Sequence, residues 1–261
     1  MSHGIAEAAA LLGAGVAAGT INTVVGSGTL ITFPTLLAFN YAPVLANVSN
    51  TVGLVPGVLS GIHGYRAELG GQRARLLFLG SAALLGGLTG AILLLVLPAN
   101  AFKAIVPALI GLALVMVVAQ PRLAAWVARR QAARGARGGA GRAHASGGPI
   151  LWALVFTTGV YGGYFGAAQG VLLIGLLGIA FTDTLQRLNA AKNVLAALVN
   201  GIAAVIFIAV THIAWGAAGL IAAGSILGGQ IGARVGRRLP PAALRALIVC
   251  VGVAALVKLL A

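Results

Sequence analysis

The sequence predicts an all-α fold, a polytopic transmembrane helical bundle made of two repeats of about five segments each. Three observations predict it. Hydrophobic residues make up 60% of the 261 residues and charged residues only 8%, whereas soluble domains carry roughly a quarter charged residues. The mean hydropathy is +1.04. Polar or Gly/Pro-rich breaks divide the chain into apolar stretches, five before an Arg-rich linker and five after it.

The apolar segments account for almost the whole chain. The first repeat is assigned to residues 1–119, the Arg/Gly-rich cytoplasmic linker to residues 120–148 and the second repeat to residues 149–261. The segments are expected at residues 5–25, 29–40, 47–63, 76–97, 102–119, 149–166, 170–182, 193–211, 216–234 and 241–260.

The second segment of each repeat is too short to cross a membrane. Residues 29–40 and 170–182 form about 18–20 Å of helix each, against a hydrocarbon core of about 30 Å. Pro34, and the glycines Gly26 and Gly28 ahead of it, predict a broken helix or a re-entrant hairpin. Depending on how the short pieces are counted, about eight to ten crossings are expected.

The two sets of segments look like an internal duplication, an architecture common among secondary transporters. They superpose at a constant offset of 142 positions. The matches include Gly28 on Gly170, Asn47 on Asn189 and Val52 on Val194.

Loop charges predict that the two repeats are inverted. The basic loop of the first repeat, residues 66–75, lies between its third and fourth segments, whereas that of the second, residues 234–238, lies one segment later. Inverted repeats put both loops and the central linker on the cytoplasmic side, leaving Lys103 and Lys258 outside. Parallel repeats would put one basic cluster on the wrong side.

The basic residues are predicted to fix orientation in the membrane. The net charge is +14, but the arginines cluster in the linker and at the ends of apolar runs, as in cytoplasmic loops. We therefore expect a multi-pass protein of a cell inner membrane with the linker in the cytoplasm. The expected partners are the lipid bilayer and a small inorganic or organic anion. The sequence leaves open whether the chain also forms a homo-oligomer. No nucleic-acid partner is expected.

The helix interruptions are the best candidates for a binding site, because irregular backbone at membrane depth must be buried or line a polar cavity. The first interruption contains Asn22, Ser27 and Thr29, and the second contains Gln169. A helix that begins after such a break directs free N–H groups and the positive end of its dipole into it, which suits an anion. The alternative is that Ser27 and Gln169 satisfy local backbone groups.

A cluster of amides follows each short segment. Asn47 and Asn50 lie in the first repeat, and Asn189, Lys192 and Asn193 lie in the second. N-capping of the following helix is the simpler interpretation, but capping needs one such residue rather than several. A lined cavity is the other interpretation, in which Lys192 attracts an anion unless it extends to the cytoplasmic surface.

Several other functions are disfavoured. The three acids, Glu7, Glu68 and Asp183, all lie outside the middle of a segment, which disfavours sodium or proton symport. Asp183 is expected to pair with Arg187. No catalytic residue, metal or cofactor is expected, because the motifs of serine hydrolases, zinc proteases and nucleotide-binding proteins are missing from the sequence. Cys250 is alone in an apolar stretch and is expected to pack.

The order of these motifs resembles the sulfite exporter TauE/SafE family of membrane permeases over nearly the whole chain. The resemblance rests on Pro34 in the broken helix, the run from Ala46 to Thr51 and Tyr65–Arg66. In the second repeat it rests on Leu188 to Asn193, Trp215, and the run from Gly228 to Arg234. It implies a secondary transporter for sulfite or a related sulfur-containing or organic anion.

The leading hypothesis is therefore an anion permease or exporter with a site near the bilayer midplane. A passive anion channel is the alternative, and an embedded scaffold without transport is a third. The predicted binding residues are Asn22, Ser27, Thr29, Asn47, Asn50, Gln169, Asn189, Lys192 and Asn193.

Overall fold

Helices form nearly all of the structure. A computed structural model of the chain describes residues 2–136, 147–234 and 241–260, and these form ten α-helices and one short 3-10 helix, Arg66–Leu69. The helices of the first half are α1 Ser2–Val24, α2 Thr29–Ala38, α3 Pro43–Gly64, α4 Arg73–Val96 and α5 Ala99–Ala136. Those of the second half are α6 Gly148–Tyr164, α7 Gln169–Ala180, α8 Leu185–Val210, α9 Trp215–Arg234 and α10 Pro241–Leu260.

Three helix boundaries differ clearly from the sequence prediction. Helix α3 begins at Pro43 rather than at residue 47, and α8 begins at Leu185 rather than at residue 193. The amides that interrupt the apolar pattern there lie inside the helices. Helix α5 continues to Ala136, so the first part of the predicted linker is helical, and residues 137–146 lie outside the described residues.

Six of the described helices are long and apolar enough to cross a membrane. They begin at Gly4, Pro43, Arg73, Ala99, Leu185 and Trp215. Apolar side chains on the outside of the bundle are exposed, as at Ile150 with 78% and Val205 with 63% of the side-chain surface exposed. Such an outer surface suits lipid tails, which are as apolar as leucine. The predicted polytopic transmembrane bundle is confirmed.

The helix contacts have an approximate two-fold symmetry. Helix α9 packs against both α1 and α3. Its equivalent in the first half, α4, packs against α6 and α8, the equivalents of α1 and α3. Helices α3 and α8 contact each other, as do α5 and α10. Equivalent helices α3 and α8, α4 and α9, and α5 and α10 begin 142 positions apart. The duplication predicted from the sequence is therefore also a duplication of packing.

Glycines bring these helices into backbone contact. A Cβ added to Gly57 would lie 2.5 Å from Ser225 Cβ, one on Gly228 would lie 2.1 Å from Val16 O, and one on Gly90 would lie 2.1 Å from Val160 O. No real Cβ fits at such distances. These glycines thus mark close helix crossings, as small residues do inside membranes.

Basic residues of both halves lie at one end of the bundle, which we call the basic end. Arg75 Nη1 lies 3.2 Å from Asp183 Oδ2, and Arg187 Nε lies 2.8 Å from Asp183 Oδ1, which confirms the predicted Asp183–Arg187 pair. A Cβ added to Gly64 would lie 2.2 Å from Ala233 Cβ, which brings the end of α9 to the same place. The loops between α3 and α4 and between α7 and α8 thus share one end with the C-terminal end of α9.

The two halves run in opposite directions through the bundle. Near the start of α1, Glu7 Oε1 accepts a hydrogen bond of 2.7 Å from Tyr41 Oη, at the end opposite the basic end. At the start of α6, a Cβ added to Gly147 would lie 3.0 Å from the Phe181 ring, on which Arg75 stacks at the basic end. Equivalent helices therefore start at opposite ends, as an inverted repeat requires.

This arrangement predicts the outcome of cysteine labelling. The native Cys250 is exposed, contrary to the packing role expected for it, and is first replaced by alanine. In that background, Ala67→Cys and Arg234→Cys are expected to react with a membrane-impermeant maleimide from one side of the membrane, and Ala42→Cys from the other. Whole cells and inside-out vesicles distinguish the two sides. Labelling of positions 67 and 234 from opposite sides would contradict the inverted arrangement.

Candidate functional site

Each half contains a sharp break between its first long helix and its short helix. Gly26, with φ of +89°, follows the end of α1, and Gly166, with φ of +78°, follows the end of α6. Only glycine adopts this backbone conformation readily. Gly26 and Gly166 end the two incoming helices in the same way and are therefore equivalent.

The breaks are related by an offset of 140 positions, not 142. Thr29 begins α2 and Gln169 begins α7, so these two residues are equivalent, and the predicted match of Gly28 with Gly170 is wrong. The reason is a difference in length. Helix α7 has 12 residues where α2 has 10, and this restores the offset of 142 at the next helix.

The two breaks touch each other at the centre of the bundle. Gly170 N donates a hydrogen bond of 3.1 Å to Gly26 O. A Cβ added to Gly170 would lie 2.4 Å from Gly26 Cα, so only a glycine fits at this crossing. The first turn of α7 thus packs directly on the break of the other half.

The expectation of free N–H groups at these helix starts is largely wrong. Most amides of the first turns have acceptors within the breaks, at distances from 2.9 to 3.1 Å. These donors are Gly28 N, Leu30 N and Ile31 N around α2, and Gly170 N and Val171 N in α7. Donors for a ligand must therefore come chiefly from side chains.

The equivalent residues Asn47 and Asn189 satisfy the carbonyl groups at the ends of the broken helices. Asn47 Nδ2 donates to Tyr164 O of α6, and Asn189 Nδ2 donates to Thr23 O of α1, each at 2.9 Å. Both bonds cross from one half to the other. The N-capping interpretation is wrong for these two residues, since each lies inside its helix and caps the C-terminus of a different one.

Asn50 is held by the short helix of its own half. Its Oδ1 accepts a hydrogen bond from Thr32 Oγ1, and its Nδ2 donates to Thr29 Oγ1 at 3.4 Å. Asn50 occupies the position equivalent to Lys192 at the offset of 142, so the two halves differ here by one formal charge.

Lys192 is the most unusual side chain of the region. It is 1% exposed, and its Nζ donates to Asn22 O at 3.0 Å and to Thr23 O at 3.3 Å. An ammonium group has three hydrogens, so one remains for another acceptor. The ion pairs of the described residues join Asp183 to Arg75 and Arg187 and do not include Lys192. A buried cation without a carboxylate is costly in a membrane and indicates function.

Lys192 lies in a small polar cleft between the breaks, with room for about one water molecule. Five of the nine predicted residues line it, whereas Ser27, Asn47, Asn50 and Asn189 are buried beside it. The lining consists of Asn22, Gly26, Thr29, Val58, Gly166, Gln169, Gly170, Lys192, Asn193, Ala196 and Asn200.

Asn200 is the polar lining residue that was not predicted from the sequence. It lies seven positions after Asn193, two turns along the same face of α8. Helical periodicity from Asn193 would have identified it, but the sequence places it in the middle of an apolar run.

Several buried polar atoms near the breaks have no partner in the described structure. They are Ser27 Oγ, Gln169 Nε2, Tyr164 Oη and the amide oxygens of Asn47 and Asn189. Buried polar atoms are nearly always hydrogen-bonded, so each exception needs an explanation. Gln169 also lines the cleft, and its amide packs over Gly162, where an added Cβ would lie 2.4 Å from Gln169 Cδ. The free Gln169 Nε2 and the third hydrogen of Lys192 are the donors that the cleft can offer to a ligand.

Comparison with known proteins identifies the family of the chain. The model of a protein family described as sulfite exporter TauE/SafE matches residues 11–259. The chain belongs to the TauE/SafE family. Searches among curated proteins and among solved structures give no significant match.

Membership in the TauE/SafE family, together with the apolar helices, makes this protein a multi-pass membrane transporter. The resemblance found in the sequence is confirmed. TauE/SafE proteins form a transporter family.

Proposed function

We propose that this TauE/SafE protein is a secondary carrier for a small anion, with sulfite or a related sulfur-containing or organic anion as its substrate. The observation that carries the proposal is the ammonium group of Lys192, which is buried between the two helix breaks without a carboxylate among the described residues. An anion in the cleft would neutralise this charge. Charge-assisted hydrogen bonds of this kind are roughly twice as strong as neutral ones.

The side chains around Lys192 suit an oxyanion. Gln169 Nε2 supplies a neutral donor without another partner, and the Lys192 ammonium supplies the charge and a third hydrogen. Asn193 and Asn200 add amide groups to the lining. An oxyanion of sulfur is larger than the water-sized cleft, so binding requires the two halves to separate locally. Rocking of one repeat against the other is the usual way in which inverted-repeat carriers open a central site.

The arginines support an orientation in the membrane. The basic end contains the loops around Arg75 and Arg187, together with the end of α9 at Arg234. Cytoplasmic loops carry the excess of Lys and Arg in multi-pass proteins. We place the basic end, and with it the central linker, in the cytoplasm of a cell whose inner membrane contains the protein.

Flux measurements on a double variant test the site. Ser27→Ala combined with Gln169→Ala removes two donors without partners, of which Gln169 Nε2 belongs to a residue that lines the cleft. The double variant is expected to lower sulfite flux into proteoliposomes at least about tenfold, since a donor to a charged group contributes roughly 1.5–3 kcal/mol. Stability is expected to change little, because neither donor has a partner in the described structure.

The chain offers a matched control for that experiment. Gln230 Nε2 donates to Ser60 O and Oγ at 2.9 Å, at the contact of α3 with α9 and outside the cleft. Ser60→Ala combined with Gln230→Ala removes the same two residue types and is expected to keep the flux. Equal flux in both double variants and the parent would contradict the site.

A voltage-clamped bilayer separates the carrier from a passive channel. Currents of many ions per second that saturate only at high anion concentration would favour the channel. Slow, saturable exchange with no resolvable unitary current is expected here, because the cleft has room for about one water molecule and is not a continuous pore.

A further inference from the structure

The net charge of the cleft follows from the side chains that line it and from the helix ends that meet there. Within the described lining, Lys192 is the one charged side chain, and the other polar members are neutral amides and a hydroxyl. The acidic residue nearest to it in the chain, Asp183, is paired with Arg75 and Arg187 at the basic end. Side chains therefore contribute one positive charge when Lys192 is protonated.

The helix ends contribute no net charge to this count. A helix N-terminus carries roughly half a positive charge and a C-terminus roughly half a negative one. The breaks bring together the C-termini of α1 and α6, at Val24 and Tyr164, and the N-termini of α2 and α7, at Thr29 and Gln169. Two ends of each sign cancel, and the direct contact of Gly26 with Gly170 keeps all four ends close together. The fixed charge of the site is then the single charge of Lys192.

We infer that the site selects anions by charge and carries monovalent anions in preference to divalent ones. The inference rests on the proposed function, since it concerns the anion held at Lys192. A monovalent anion makes the occupied cleft neutral. A divalent anion leaves one uncompensated negative charge in the interior of the bundle, where desolvating an unpaired charge costs several kcal/mol.

The inference names the substrate class more closely than the family does. Of the two ionic forms of sulfite, hydrogensulfite fits this charge balance, and so do sulfonates that carry no second acidic group. Sulfate and thiosulfate are divalent and are disfavoured. No other titratable side chain lines the cleft among the described residues, so the anion itself must supply the balancing charge.

Two tetrahedral anions of similar size and different charge test the inference. Sulfamate is monovalent and sulfate is divalent, and both present oxygen atoms on a central sulfur. Thermal shifts of the purified full chain, and competition with sulfite flux in proteoliposomes, are expected to give an affinity for sulfamate at least about tenfold higher than for sulfate, a difference of about 1.4 kcal/mol. Methanesulfonate is expected to behave like sulfamate.

The outcomes separate this inference from the proposed function. Sulfate or thiosulfate binding as tightly as sulfamate would overturn the charge selection and leave the anion site in place. Binding of none of these anions, including sulfite, would overturn the anion site and the selection together.

A charge added to the cleft gives an independent test on the same protein. Asn200 lines the cleft and is partly exposed. Asn200→Lys raises the fixed charge by one and is expected to shift the ratio of sulfamate to sulfate affinity toward sulfate at least about tenfold. Asn200→Met, which changes the size without the charge, is expected to keep the parent ratio. A ratio that is unchanged in a folded Asn200→Lys protein would overturn the inference.

Discussion

Lys192→Met is expected to lower anion flux at least about a hundredfold while leaving a folded membrane protein. Truncating the charged partner of a buried ion pair costs about 2–5 kcal/mol of binding, which corresponds to this loss. Methionine keeps the length of the side chain in a position that is 1% exposed. Flux into proteoliposomes measures the loss, and thermal unfolding of the detergent-purified protein measures the stability.

The fold should survive this substitution because the end of α1 has other donors. Thr23 O also accepts hydrogen bonds from Asn189 Nδ2 at 2.9 Å and from Asn193 Nδ2 at 3.4 Å. Replacing a buried charge with an apolar residue of similar size is often neutral or stabilising. Lys192→Arg, which keeps the charge, is expected to retain more flux than Lys192→Met. Parent-like flux in Lys192→Met would remove Lys192 from the site.

Gly170→Ala is expected to destabilise the protein strongly, because the methyl group enters the crossing of the two breaks. The new Cβ would lie 2.4 Å from Gly26 Cα and 3.0 Å from Gly26 O, which are backbone atoms that no rotamer change can move. Overpacking typically costs about 1–3 kcal/mol and sometimes more. Thermal unfolding and the yield of monodisperse protein measure the effect.

Gly201→Ala is the matched control for this prediction. Gly201 lies in α8, and an added Cβ would meet no atom within 4 Å. Alanine in the middle of a helix is favoured over glycine by roughly 0.5–1 kcal/mol, so this variant should be at least as stable as the parent. Equal stability of the two variants would show that the breaks do not pack as tightly as described.

The bounds of a helix could be predicted to within about one residue where an apolar segment ends abruptly at polar or Gly/Pro residues. Helix α9 was expected at residues 216–234 and is Trp215–Arg234, and α10 was expected at residues 241–260 and is Pro241–Leu260. The start of α8 was placed eight residues too late, because its first three turns contain Asn189, Lys192 and Asn193. Hydropathy cannot recognise a helix whose polar residues face a cleft rather than water.

The inverted arrangement could be predicted because the positive charge of a loop indicates the side of the membrane on which that loop lies. Arg75, Arg187 and Arg234 can share one side of a membrane only if the two halves enter it in opposite directions. The structure brings these residues to one end through the Asp183 ion pairs and the contact of Gly64 with Ala233.

Other features depend on contacts between residues more than a hundred positions apart. The sequence indicated that Ser27, Asn47, Asn189 and Gln169 are polar residues at breaks, but not which of them line the cleft. Asn47 caps α6 across the two halves, Asn189 caps α1 in the same way, and Gln169 is left with a free donor. These roles follow from which helix packs on which.

The sequence by itself therefore determined the number and order of the apolar segments, the duplication and the relative orientation of its halves, because these depend on composition and local charge. The tertiary structure decided that the two breaks cross at Gly26 and Gly170, that Asn200 joins the lining, and that Lys192 is buried without a carboxylate partner in the described structure. The physical reason is that helical periodicity fixes the face on which a residue lies, whereas only long-range packing fixes what that face meets.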